Sequence, residues 1–100
     1  MVPWILVVDD EAENRQLFST VLHKSYNICL AENGLDALEK VSEREFSVVL
    51  SDHRMPAMTG IEFCSELEKR HHPARRVIVT GYAELHSVIS AINQAGIYRY

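Results

Sequence analysis

Short apolar runs alternate with amphipathic stretches along the whole chain. Trp4-Ile5-Leu6-Val7-Val8 is a continuous apolar run that ends in acids, the pattern of a strand buried on both faces. From about Glu13 to Lys24, Leu17, Phe18, Val21 and Leu22 fall on one helical face. A weaker strand is predicted over Asn27 to Ala31, and Asn33-Gly34 marks a turn. Leu35, Leu38 and Val41 carry the next short helix. Phe46 to Ser51 is a third strand, again ending at an acid, and Pro56 and Gly60 punctuate the loop after it. Ile61 to about Arg70 is expected to be helical, with Ile61, Cys64 and Leu67 facing inward, and Pro73 stops it. Arg76 to Thr80 forms a fourth strand and Gly81 follows. A helix over about Glu84 to Ala95 places Leu85, Val88, Ile89 and Ile92 inside, Gly96 caps it, and Ile97 to Tyr100 begins a fifth strand. The order is (βα)₄β. It predicts an α/β domain with a parallel sheet and helices on both faces.

Size and charge narrow the function classes. One hundred residues make one domain, and 47% hydrophobic content is ordinary for a folded one. Ten basic against fourteen acidic side chains give a net charge of −4, which disfavours a general nucleic-acid-binding surface. No apolar run approaches the roughly 20 residues that span a bilayer. Met1-Val2-Pro3-Trp4 lacks the basic stretch and apolar core of a signal peptide, so a cytoplasmic location is expected. Cys29 and Cys64 each sit among apolar residues and are expected to be reduced packing groups. His71 and His72, adjacent and therefore about 100° apart on a helix, make a poor metal pair. They are expected to be cations at a helix C-terminus.

The chemistry collects at strand ends, where open parallel sheets build their sites. Asp9-Asp10 follows the first strand, Asp52 the third and Thr80 the fourth. A single acid after a strand is often only a helix cap, and Asp9-Asp10 alone would fit that role. Acids after two strands with a hydroxyl after another point instead to a shared site. Crowded carboxylates raise one another's pKa unless a cation neutralises them, and hard oxygen ligands suit Mg²⁺. A dinucleotide site would want a glycine-rich turn after the first strand. Asp9-Asp10-Glu11 stands there instead and would repel a phosphate without a metal.

The runs Ile5-Leu6-Val7-Val8-Asp9-Asp10-Glu11, Ser51-Asp52-His53-Arg54-Met55-Pro56 through Gly60-Ile61-Glu62, and Val79-Thr80-Gly81-Tyr82 resemble the receiver domains of two-component response regulators. The resemblance covers the whole chain, in order and with normal spacing. It implies a flavodoxin-like three-layer sandwich with sheet order 2-1-3-4-5. It implies that Asp52 accepts a phosphoryl group from a sensor histidine kinase. Asp10, the Asp52 carboxylate and the backbone carbonyl of Arg54 would bind Mg²⁺, with Asp9 assisting through water. Thr80 would hydrogen-bond the phosphoryl oxygen and act as a switch together with Tyr100, and Gly81 would keep the approach to Asp52 open. A carboxylate is a competent nucleophile when the phosphoryl charge is neutralised and the groups are held in line.

Such a domain signals rather than turning over outside substrates, so no enzyme activity beyond self-catalysed phosphotransfer and dephosphorylation is expected. Two other readings compete with it. A Mg²⁺-dependent phosphohydrolase of the haloacid-dehalogenase type would want a second acid two residues after the nucleophile, where Arg54 stands. A receiver-shaped interaction module without phosphorylation is the other.

Receivers usually carry a Lys-Pro pair shortly after the position of Tyr100, and then a fifth helix. This chain is expected to be a receiver, residues 1–100, cut short in the fifth strand and lacking the final helix. Uncovered apolar surface would then favour self-association, a homodimer, strand exchange or instability. Neither membrane nor direct nucleic-acid contact is expected. The partner beyond the kinase would be an output domain outside this chain. Thr80-Gly81-Tyr82-Ala83-Glu84 and the Ile97 to Tyr100 ending resemble receivers linked to cyclic-di-GMP phosphodiesterase or transcriptional-activator outputs.

Overall fold

Strands form where apolar side chains run nearly unbroken, because helices cover both faces of the sheet. A computed structural model gives the structure of the chain and describes residues 2–79. Its elements are β1 (Trp4–Val8), α1 (Ala12–Leu22), β2 (Asn27–Ala31), α2 (Gly34–Glu43), β3 (Val48–Asp52), α3 (Gly60–Lys69) and β4 (Arg75–Val79). The four strands are parallel in the order β2-β1-β3-β4. This is the flavodoxin-like arrangement as far as β4. The predicted helix over 84–95, the fifth strand, and Thr80, Gly81 and Tyr100 lie outside the described residues.

Alternate residues of β1 divide the core. Leu6 and Val8 pack with α2 and α3 through Ala37, Val41, Phe63 and Leu67. Ile5 and Val7 pack on the other face with Phe18 and Leu22 of α1. Right-handed crossovers explain the split, since the chain runs from β1 to β2 in one direction and from β1 through β3 to β4 in the other.

Helix phase departs from expectation in a consistent way. α2 buries Gly34, Ala37 and Val41, and α3 buries Gly60, Phe63 and Leu67. Leu35 and Ile61, expected inside, are 59% and 58% exposed. Cys64 and Leu38 are half-buried. In α1, Phe18 and Leu22 face the sheet, whereas Leu17 and Val21 are exposed. β3 begins at Val48 rather than Phe46, although Phe46 is buried all the same. Asn33-Gly34 is not a free turn. Asn33 caps α2, its Oδ1 accepting the Asp36 N–H at 2.8 Å. Thr59 and Glu62 form a reciprocal capping box at the start of α3.

The two cysteines are free, and burial raises both thiol pKa values. That keeps them protonated and unreactive, as packing residues. His72 is not the cation expected. After α3, the His71 N–H donates to the Glu68 carbonyl and the His72 N–H to the Leu67 carbonyl, both hydrogen bonds of a Schellman ending. His71 takes the left-handed position at φ 55°. His72 then turns inward, and its Nδ1 accepts the Ala74 N–H at 3.2 Å. Burial and the Arg76 guanidinium lower its pKa, opposed by Glu45.

A lowered histidine pKa contributes stability that is complete above the ordinary value near 6.5 and is lost as the pH falls through it towards the lowered one. Urea melts at about pH 8 and about pH 5 should therefore show a larger acid loss in the wild type than in His72→Gln. Equal losses would show that His72 is not held neutral.

Candidate functional site

The register of the sheet brings the acids together. Val8 pairs with Ser51 across β1 and β3, so Asp9 and Asp52, each the next residue, emerge side by side at the carboxyl edge. This is the place where strand order reverses, because β2 and β3 lie on opposite sides of β1. One ligand oxygen from each of Asp9, Asp10 and Asp52 can be chosen so that all lie within 4.8 Å of one another.

Asp9 is 5% exposed and held from several sides. Its N–H donates to the Ala31 carbonyl at 3.1 Å, and its Oδ1 accepts the Glu11 N–H at 2.9 Å. Arg15 reaches back from α1, and its guanidinium donates to the Asp9 carbonyl oxygen at 2.7 Å. α1 has Glu11 at its N-cap and no side-chain cap bond, so Asp9 shapes the turn before the helix rather than capping it. Asp10 is exposed at the rim, and Asp52, the last residue of β3, is half-buried.

Electrostatics follow from this crowding. Burial, foremost, and the nearby Asp10 raise the Asp9 pKa, against the Glu11 N–H, Asn14 and Arg15. Burial also leads in raising that of Asp52, reinforced by Asp9 and Asp10 and opposed by the Arg54 and His53 N–H groups. A raised carboxyl pKa contributes stability below its unfolded value and loses it as the pH rises through the folded one. At neutral pH the ionised cluster therefore opposes folding. Three converging carboxyls are a donor set that fits a hard divalent cation such as Mg²⁺.

The loop from β3 to α3 approaches Asp52 closely. A Cβ on Gly60 would lie 2.5 Å from the Asp52 carbonyl oxygen, so the return of the chain requires a residue without one. The Gly60 N–H donates to the His53 carbonyl at 3.0 Å and closes the loop at its base. Met55 is buried, while Arg54 and Pro56 are exposed. Thus Asp9, Asp10, Asp52, Arg54, Pro56 and Gly60 all fall at one edge or in the loop beside it. Arg15, Asn14, Gly34, Ala57 and Met58 were not anticipated as part of this region. Arg15 gave one signal that could have been used, since its place six residues after Asp9 lets an α1 side chain reach back to the strand end.

A family sequence profile described as "Response regulator receiver domain" matches residues 5–100. The chain is 32% identical over 96 residues to the hydrogenase transcriptional regulatory protein HoxA of Cupriavidus necator, covering 96% of this chain and 20% of that protein. It therefore spans about a fifth of the length of that relative. Among solved structures, the response regulator TrrA of Thermotoga maritima, crystallised in complex with Mg(2+)-BeF, is 35% identical with a TM-score of 0.75, over 91% of this chain and 80% of that one. The chemotaxis response regulator CheY4 of Vibrio cholerae is 25% identical with a TM-score of 0.79, over 99% and 85%. Taken with the acid cluster at the sheet's switch point, these likenesses place the chain in the response regulator receiver domain family.

Proposed function

We propose that this chain is the phosphoacceptor domain of a two-component response regulator and receives a phosphoryl group on Asp52. The observation that carries the proposal is the convergence of Asp9, Asp10 and Asp52 within 4.8 Å at the carboxyl edge of the sheet. Asp10, the Asp52 carboxylate and the Arg54 backbone carbonyl would hold Mg²⁺, and Asp9 would act on it through water. When bound, the cation supplies positive charge against the clustered carboxylates and the phosphoryl oxygens.

An Asp52 carboxylate oxygen forms the new P–O bond. The bond from phosphorus to the donor breaks, and its electron pair leaves with the donor: a histidine ring nitrogen in a kinase, or acetate when the donor is acetyl phosphate. The half-buried position of Asp52 limits water around the acyl phosphate, and the Arg54 and His53 N–H groups orient the carboxylate. Thr80 would then hydrogen-bond a phosphoryl oxygen, with Gly81 leaving the approach open and Tyr100 following the change.

The partners proposed are a sensor histidine kinase and an output domain outside these residues. HoxA is a transcriptional regulatory protein, which favours an output that controls transcription over a phosphodiesterase. No described helix is long and apolar enough to cross a membrane, in keeping with the proposed cytoplasmic location. Residues 1–100 are proposed as a single domain that signals by changing partner contacts rather than by turnover of outside substrates.

Acetyl phosphate with Mg²⁺ tests the proposal. Intact mass should show one added phosphoryl group, and beryllofluoride should bind with Mg²⁺ and block that labelling. A chain that neither gains mass nor binds beryllofluoride would be a receiver-shaped interaction module instead.

A further inference from the structure

The loop from β3 to α3 is held in a strained shape by a contact with another helix. At its tip the Met58 N–H donates to the Pro56 carbonyl at 2.7 Å, and the residue between them, Ala57, has φ 69°. This is a γ-turn of the positive-φ kind, which a residue carrying a Cβ adopts only at a cost. Such strain persists where the surroundings over-determine it. Here they do so on two sides. Met55 is buried in the core, and Met58 lies directly on the first residue of α2. A Cβ at Gly34 would meet Met58 Sδ at 2.6 Å and Met58 Cβ and Cγ at 2.9 Å. The thioether could swing aside, but a Cβ moves only with its backbone. An alanine at 34 therefore has to push the loop itself.

We infer that Gly34 and Met58 are positioning residues for the metal site: Met58, seated on the bare α2 backbone, holds the loop that presents Arg54 beside Asp52. The inference rests on the metal reading given above and extends it to residues that touch no ligand. Two blander accounts make different predictions. If Gly34 is merely the first residue of a helix, alanine should be the better helix former and leave Mg²⁺ binding alone. If Met58 only fills space in the core it touches, its removal should lower stability without changing affinity.

Calorimetric Mg²⁺ titrations of the wild type, Gly34→Ala, Met58→Ala, Met58→Gly and Gly34→Ala on Met58→Gly separate these accounts, with urea melts run alongside. Gly34→Ala and Met58→Ala should each weaken Mg²⁺ binding about threefold. That is less than the roughly ten- to hundredfold typical of deleting an outer-shell hydrogen-bond partner, since the loop shifts without losing a ligand. Adding Gly34→Ala to Met58→Gly should have no further effect, because the Cβ it strikes has gone with the rest of the side chain. Affinity unchanged in Gly34→Ala, or an equal loss from it in both backgrounds, overturns the inference.

Should Gly34→Ala fail to fold, Met58→Ala decides alone, and wild-type affinity in that variant overturns it. A wild type that takes up no Mg²⁺ sinks the metal reading. The inference then turns on the His53 and Arg54 amide resonances, which should move in Gly34→Ala and hold still when the same change is made on Met58→Gly.

Discussion

Asp52→Asn is expected to abolish phosphoryl labelling by acetyl phosphate, a fall of at least about 10³-fold, the scale on which losing a nucleophile registers in enzymes. The substitution keeps the shape of the side chain. Its remaining carbonyl oxygen can still accept from the Arg54 and His53 N–H groups that now face the carboxylate. What it removes is the anionic oxygen that would bond to phosphorus, and an amide is a poor replacement at neutral pH. The fold should survive and even gain. Burial and the charges of Asp9 and Asp10 disfavour the ionised form of Asp52, so a neutral residue there relieves the cluster above the raised pKa. Intact mass gives the labelling and urea melts the stability. Undiminished labelling of a well-folded Asp52→Asn would move the acceptor elsewhere, and peptide mapping would then test Asp10 and Asp9 first.

The strands were legible because burial on both faces demands an unbroken apolar run, as in Ile5 to Val8, and few other elements read that way. Site residues at strand ends came with them. Once β1 and β3 are neighbours, Asp9 and Asp52 must emerge together. Helix phase was harder to read, for one physical reason that repeats. α2 and α3 each begin with a glycine that faces inward, and the loops around them need the space that a missing Cβ leaves. Hydrophobic patterning gives glycine no weight, so the inward stripe seemed to start one residue late, at Leu35 and Ile61 instead of Gly34 and Gly60. Ala37 was passed over for Leu38, and Phe63 for Cys64, by the same slip. The seat of Met58 on Gly34 had no signal of its own, since it joins a loop to a helix through the absence of a side chain. His72 was misjudged for a related reason. The left-handed turn at His71 carries the chain out of the helix, so His72 accepts a backbone N–H instead of lining the last turn.

Asp10→Ala should separate function from stability in opposite directions. Asp10 is exposed at the rim, yet its charge raises the pKa of both Asp9 and Asp52. Removing it leaves two carboxyls to share a site now occupied by three, which eases ionisation of the pair at neutral pH. The metal-free variant should therefore melt at a urea concentration equal to or above that of the wild type. Mg²⁺ binding should move the other way, weakening at least tenfold, or about 1.4 kcal/mol, because a direct carboxylate ligand is lost. Mg²⁺ stabilises the folded chain only as far as it binds, so the gain in melting point at a fixed Mg²⁺ concentration should shrink in parallel. Calorimetry is the better primary readout, since Trp4 sits at the far end of β1 from the acids. A purely capping role for the acid pair predicts the reverse pattern, with stability lost and cation affinity unchanged. Unaltered Mg²⁺ affinity in Asp10→Ala would remove Asp10 from the metal site and leave its place at the edge of the sheet as helix-end chemistry alone.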